Sequence, residues 1–119
     1  MQLYYAFDEA LSELLEEGVA KRIQRYRNIS TLIRDRMAKL GMKPLLPPEH
    51  QSNTITAFHL PVGLSYTQLH DKLKEQGYVI YAGQGQLEGR IFRIANMGVL
   101  SQAQIQGFLD AFERICTAA

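Results

Sequence analysis

The sequence predicts an α+β fold: a two-layer α/β domain whose small, largely antiparallel sheet carries helices on one face, in the order α-α-(β)-β-α-β-β-α. Three observations lead there. Two amphipathic helical stretches open the chain, and two later helices start with the same capping signature, so helices frame and separate short β-rich runs. The last two β-rich runs, Tyr78–Tyr81 and one beginning at Ile91, are joined by Ala82–Arg90, too short for the crossover that parallel neighbours require. Finally, the run Ile91-Phe92-Arg93-Ile94-Ala95 sends Phe92 and Ile94 to one face and Ile91, Arg93 and Ala95 to the other. An arginine in mid-strand fits a sheet whose second face lacks a covering layer.

The elements follow in order. The first helix spans Tyr4 to Leu15, with Leu3, Phe7, Leu11, Leu14 and Leu15 at helical spacing, and Gly18 breaks it. Val19, Ile23, Tyr26, Ile29 or Ile33, Met37 and Leu40 mark the stripe of a second helix that Gly41 stops. Lys21, Arg22, Arg25, Arg34, Asp35 and Lys39 lie opposite that stripe. Pro44, Pro47 and Pro48 permit at most a short strand at Met42–Leu45. After the turn Gln51-Ser52-Asn53, the β-branched and aromatic run Thr54–Leu60 is a strand, closed by Pro61-Val62-Gly63. Ser65-Tyr66-Thr67-Gln68 is a capping box, with Leu64 placed to staple onto Leu69, and that helix ends at Gly77. Ser101-Gln102-Ala103-Gln104 repeats the device, and Ile105, Phe108, Leu109, Phe112, Ile115 and Cys116 share one side of the last helix.

Composition narrows the function classes. The chain has 119 residues, enough for one domain with a real core. Thirteen basic against twelve acidic residues give a formal charge of +1, without the basic excess of a nucleic-acid platform. No apolar run is long enough to span a membrane, and the N-terminus lacks the pattern of a signal peptide. The single cysteine, Cys116, makes neither an internal disulfide nor a multi-cysteine metal site; a cytoplasmic setting is the expectation.

Few residues carry candidate chemistry. Arg93 has two readings from spacing alone: a flat fork waiting for a carboxylate or phosphonate, or an exposed or ion-paired arginine on an uncovered sheet face. His59 has no second ligand at metal spacing and reads as a strand-end surface residue, so no metal is expected. Gly83, Gly85 and Gly89 fit neither dinucleotide nor phosphate-loop spacing, and a strand follows where a helix should. The basic cluster Lys21, Arg22, Arg25 and Arg27 reads as a solvated helix face, with a phosphate patch as the alternative. The sheet face with Ile91 and Ala95, and the first-helix side with Phe7 and Leu11, are expected to be poorly covered.

Three stretches resemble the C-terminal small domain of the class V, fold-type-I aminotransferases, and within them the branch that moves the amino group of 2-aminoethylphosphonate to pyruvate. They are Ala10–Ala20 followed by Arg22 and Arg25-Tyr26-Arg27, then Ser52–Phe58, then Leu73–Gly83 together with Phe92–Gly98. The resemblance spans essentially the whole chain. It implies that residues 1–18 are a linker helix from a large domain and residues 19–119 the small domain. It implies pyridoxal 5'-phosphate as the parent's cofactor, an amino acid or aminophosphonate and a 2-oxo acid as its small-molecule substrates, and a homodimeric parent. It assigns the substrate's acidic group to Arg93, and neither a catalytic nor a cofactor-binding residue to this chain. Lys39, Lys43, Lys72 and Lys74 match no cofactor lysine, so the chain alone is expected to be inactive. The alternative is a free-standing regulatory module that binds a small carboxylate at Arg93.

Overall fold

The computed structural model describes residues 1–117; residues 118 and 119, the end of the expected small domain, lie outside the described residues. Helix α1 spans Gln2–Glu17 and α2 spans Val19–Lys39. Strand β1 (Ile55–His59), helix α3 (Tyr66–Glu75), the short strand β2 (Tyr81–Ala82), strand β3 (Ile91–Ala95) and helix α4 (Gln102–Thr117) complete the order, with single 3-10 turns at Pro48–His50 and Gly85–Leu87. The three strands form one antiparallel sheet in the order β1-β3-β2, so the strand of Arg93 is central.

Side-chain alternation assigns the two faces. Phe58 pairs with Phe92, and Thr56 with Ile94, on the face turned to the helices. Against it α2 contributes Ile29, Ile33 and Met37, α3 contributes Leu69 and Leu73, and α4 contributes Ile105, Phe108, Leu109 and Phe112. Aromatic rings run through this core: Phe58 stacks on Phe92 at 5.7 Å between centroids, and Phe92 lies 5.5 Å from Phe112. Such contacts supply most of the apolar burial that holds sheet and helices together. Both capping boxes form. Ser65 Oγ accepts from Gln68 N and Ser101 Oγ from Gln104 N, while each glutamine side chain accepts from its serine's N–H.

Two expected strands are shorter than their patterns. Tyr78–Tyr81 shrinks to Tyr81–Ala82, because α3 has already claimed the preceding backbone. Tyr78 N–H donates to Leu73 O at 2.9 Å, and Ile80 O accepts from the Tyr66 hydroxyl. The stretch Met42–Leu45 reduces to a bridge between Pro44 and Phe58, flanked by Leu45 N–H to Ala57 O and His59 N–H to Lys43 O, both 2.9 Å. Pro44 sits between these two bonds, at a position where the ladder uses no N–H, so its missing donor is tolerated there.

Ile91 departs from expectation. It is 2 % exposed although it lies on the face away from the helices. The Gly83–Leu87 segment roofs it. A Cβ on Gly83 would sit 2.5 Å from Leu87 O and 2.7 Å from the Ile91 side chain, so only glycine lets this loop close. Ala95 remains half-buried.

Helix α1 stands apart. None of its residues is buried, and α2 is its main neighbour. The radius of gyration is 16.0 Å, against about 13.5 Å for a compact chain of this length. Gly18, at φ +92°, turns the chain between α1 and α2 where a side chain would be strained.

Candidate functional site: the arginine cleft on the open face

The open face of the sheet carries Ile55, Ala57 and His59 of β1, Arg93 of β3 and Tyr81 of β2. Arg93 lies between Ala57 and Tyr81 in the ladder. The small Ala57 leaves room beside it. The guanidinium is half-buried, and its Nε donates to Ala82 O at 2.9 Å. That bond aims the fork and leaves both terminal NH₂ groups without an ion-pair partner among the described residues. A half-buried cation lacking a counter-charge is costly, and a bidentate anion would relieve that cost.

A cleft of about 210 Å³ opens over this arginine, walled by Leu46 and by the His50-Gln51-Ser52 turn, with Ile55 and Ala57 on its floor. No carboxylate lines it. Its chemistry is therefore that of an acceptor-seeking pocket: a fixed cation, an imidazole, an amide and a hydroxyl. A larger cleft, about 310 Å³, lies among Ile33, Tyr78, Val79, Leu100 and Phe108. It holds no charged group, so it offers nothing to orient an ionic ligand.

The cleft wall is tied down from inside. The Arg34 guanidinium of α2 donates to Ser52 O. Asn96, fully buried at the end of β3, donates its Nδ2 to Asn53 O and its backbone N–H to Thr54 O, both at 2.9 Å. Strand alternation marks Arg93 in the sequence, but no local signal marks this wall. An asparagine after a strand reads as a turn residue, and nothing local shows that its amide reaches across to residue 53.

The remaining candidates fall elsewhere. His59 is exposed at the strand end. Cys116 is half-buried against the core, and burial pushes its thiol up from its ordinary value. Among the described residues no cluster of three metal-ligating side chains occurs, and no helix is long and apolar enough to cross a membrane.

The basic cluster divides. Lys21 and Arg27 face solvent, whereas Arg22 and Arg25 both grip Glu17, at 2.8 and 2.7 Å. The Arg25 and Arg22 guanidiniums hold the Glu17 carboxyl down at about 2. Arg25 also donates to Gly98 O at 2.9 Å, and Gly98 N–H donates to the Tyr26 hydroxyl. This cluster joins α1, α2 and the loop after β3 and is neither a purely solvated face nor an open phosphate patch.

No protein-family profile matches the chain. It is 42% identical over 114 residues, 93% of its length, to a 2-aminoethylphosphonate–pyruvate transaminase of Aeromonas hydrophila subsp. hydrophila, and it covers 30% of that protein. To the protein of the same name in Bacillus cytotoxicus it is 42% identical over 107 residues, 88% of this chain and 29% of the other. Among solved structures, the ureidoglycine–glyoxylate aminotransferase of Bacillus subtilis matches with a TM-score of 0.88 at 25% identity, over 96% of this chain and 30% of that one. The alanine–glyoxylate aminotransferase of Nostoc sp. matches with a TM-score of 0.87 at 26% identity, over 95% and 30%. The chain thus spans about 30% of the length of the curated relatives it matches.

Proposed function

We propose that this chain, which belongs in sequence and fold with the small domain of the class V, fold-type-I aminotransferases, supplies the substrate-anchoring arginine of a pyridoxal-phosphate-dependent transaminase. The amino donor is 2-aminoethylphosphonate and the acceptor pyruvate, the pair named for its relatives. In this reading residues 1–18 are the linker helix to a large domain and residues 19–119 the small domain. The parent works as a cytoplasmic homodimer on small-molecule substrates, without nucleic acid or membrane.

The observation that carries the reading is the Arg93 cleft. The strand presents the guanidinium on the open face, the bond to Ala82 O fixes its plane, and the two free NH₂ groups match the paired oxygens of a phosphonate or carboxylate. Holding the acidic end of a substrate sets the position of its reacting end. That saves the orientational cost of the chemical step. In this reading no residue of this chain is assigned to pyridoxal phosphate. All five lysines, Lys21, Lys39, Lys43, Lys72 and Lys74, are exposed, and none lines the cleft. The cofactor's contacts are accordingly assigned to the remainder of the parent, and no chemical step on it to these residues.

Kinetics of Arg93→Lys and Arg93→Ala in the full-length transaminase carrying this domain test the proposal. Lysine keeps the charge and loses the fork. The expected loss is about 2–4 kcal/mol in kcat/KM for substrates with an acidic tail, with cofactor binding unchanged. If both variants keep parental kcat/KM, Arg93 is a surface arginine and the proposal is wrong.

A further inference from the structure

We propose that Asn96 is a positioning residue for the Arg93 cleft, its buried side-chain amide fixing the turn at residues 51–53 as the cleft wall. The inference rests on the reading of that cleft as an anion site. Three successive carbonyls at the turn and just after it, those of Ser52, Asn53 and Thr54, are taken by Arg34, by Asn96 Nδ2 and by Asn96 N–H. The outward side of the same turn presents Gln51 and Ser52 to the cleft. Asn96 stands three residues beyond Arg93, immediately after the same strand, so one continuous piece of backbone carries both the anchor and the brace of the opposing wall.

The energetics favour a dedicated role. Asn96 is wholly buried, and its Oδ1 has no hydrogen-bond partner among the described residues. Its Nδ2 is the donor that satisfies the Asn53 carbonyl, at 2.9 Å. An apolar side chain at this position could not hold the Asn53 carbonyl and would leave it without this partner. With that carbonyl released, the wall is free to drift from the fork of Arg93, and a bidentate contact tolerates little drift.

The test titrates methylphosphonate into the 119-residue chain. It follows the Arg93 Nε–H and the backbone amides of residues 51–54 by NMR, with amide exchange of the turn measured alongside. Wild type should bind saturably and Arg93→Ala should not. Asn96→Asp places an acceptor against the Asn53 carbonyl. At neutral pH it should weaken binding by roughly tenfold or more, the scale of one lost buried partner, and speed exchange in the turn. On acidification the introduced carboxylate takes up a proton and regains a donor. Binding by that variant should then recover relative to wild type at the same pH, which a general loss of packing would not produce. Arg34→Leu, which frees the neighbouring carbonyl, should weaken binding in the same direction if Asn96→Asp fails to fold. If Arg93→Ala abolishes binding while Asn96→Asp and Arg34→Leu bind within about twofold of wild type, the positioning role is overturned and the anion-site reading stands. If wild type shows no saturable binding, the positioning role falls and the kinetics of the full-length enzyme decide the anion-site reading; if Arg93→Ala binds as wild type does, both fall.

Discussion

Helices α1 and α4 are the same length and both amphipathic, yet they have opposite fates. Each has 16 residues. Helix α4 buries Ile105, Phe108, Leu109, Ala111 and Phe112 against the sheet and α2. Helix α1 buries nothing: Leu3, Tyr4 and Leu15 are each more than three-quarters exposed, and Phe7 is 62% exposed. An apolar stripe says that a helix wants a partner. It does not say that the partner lies within the same chain. In the proposed parent, α1 would meet the large domain.

The sharpest way to break this comparison is to truncate one phenylalanine on each helix. Phe112→Ala removes a ring that touches Phe92 and Phe108 in a closed core, and should cost roughly 3–5 kcal/mol. Phe7→Ala should change stability by no more than about 0.5 kcal/mol. Urea unfolding of the two variants measures both. A comparable loss from Phe7→Ala would mean that α1 is packed in solution.

The helix starts offer a smaller contrast. Helix α4 has a full capping box at Ser101 and Gln104, whereas Met1 gives α1 no side-chain cap. Ser101→Ala should therefore cost about 1 kcal/mol, read as a shift of the urea midpoint with unchanged slope. The same denaturation curve for Met1→Ser should move little, since α1 contributes little to the cooperative unit.

The smallest effect concerns the joint that holds α1 at all. Glu17 is held well below the ordinary carboxylate value of 4.5, at about 2, by its bonds to Arg25 and Arg22. A depressed carboxyl contributes stability that is complete above the ordinary value and is lost as pH falls through the folded one. The α1–α2 joint should hold down to about pH 4.5 and loosen toward pH 2. Amide exchange at Gly18 and Gly98 reports it, because Arg25 bridges Glu17 to Gly98 O. Glu17→Gln should show the loosened exchange already at neutral pH. Unchanged exchange in that variant would show that the helices are held by something else.

Much of this molecule was legible without coordinates, for local reasons. Helical spacing marked α1, α2 and α4, the two serine boxes marked where α3 and α4 begin, and the short Ala82–Arg90 connection required an antiparallel pair. Alternation along β3 put Phe92 and Ile94 inside and Arg93 outside, as found. Arg93 was legible as a candidate for the same reason, since it breaks an apolar strand. The cleft around it was not, because Leu46, His50 and Gln51 come from a proline-rich connection with no periodic signal.

What the sequence determined by itself is therefore the kind and order of the elements and the face each residue takes. Periodicity, caps and loop length act over a few residues. Tertiary structure alone decided which faces are covered and which polar groups meet. Gly83 roofs Ile91 on the open side, Glu17 gathers two arginines of the next helix, and Asn96 reaches the carbonyl of Asn53, 43 residues earlier. Each depends on distant segments arriving at one place. A hydrogen bond or a close contact is set by the final few ångströms of that arrival, which no local pattern encodes.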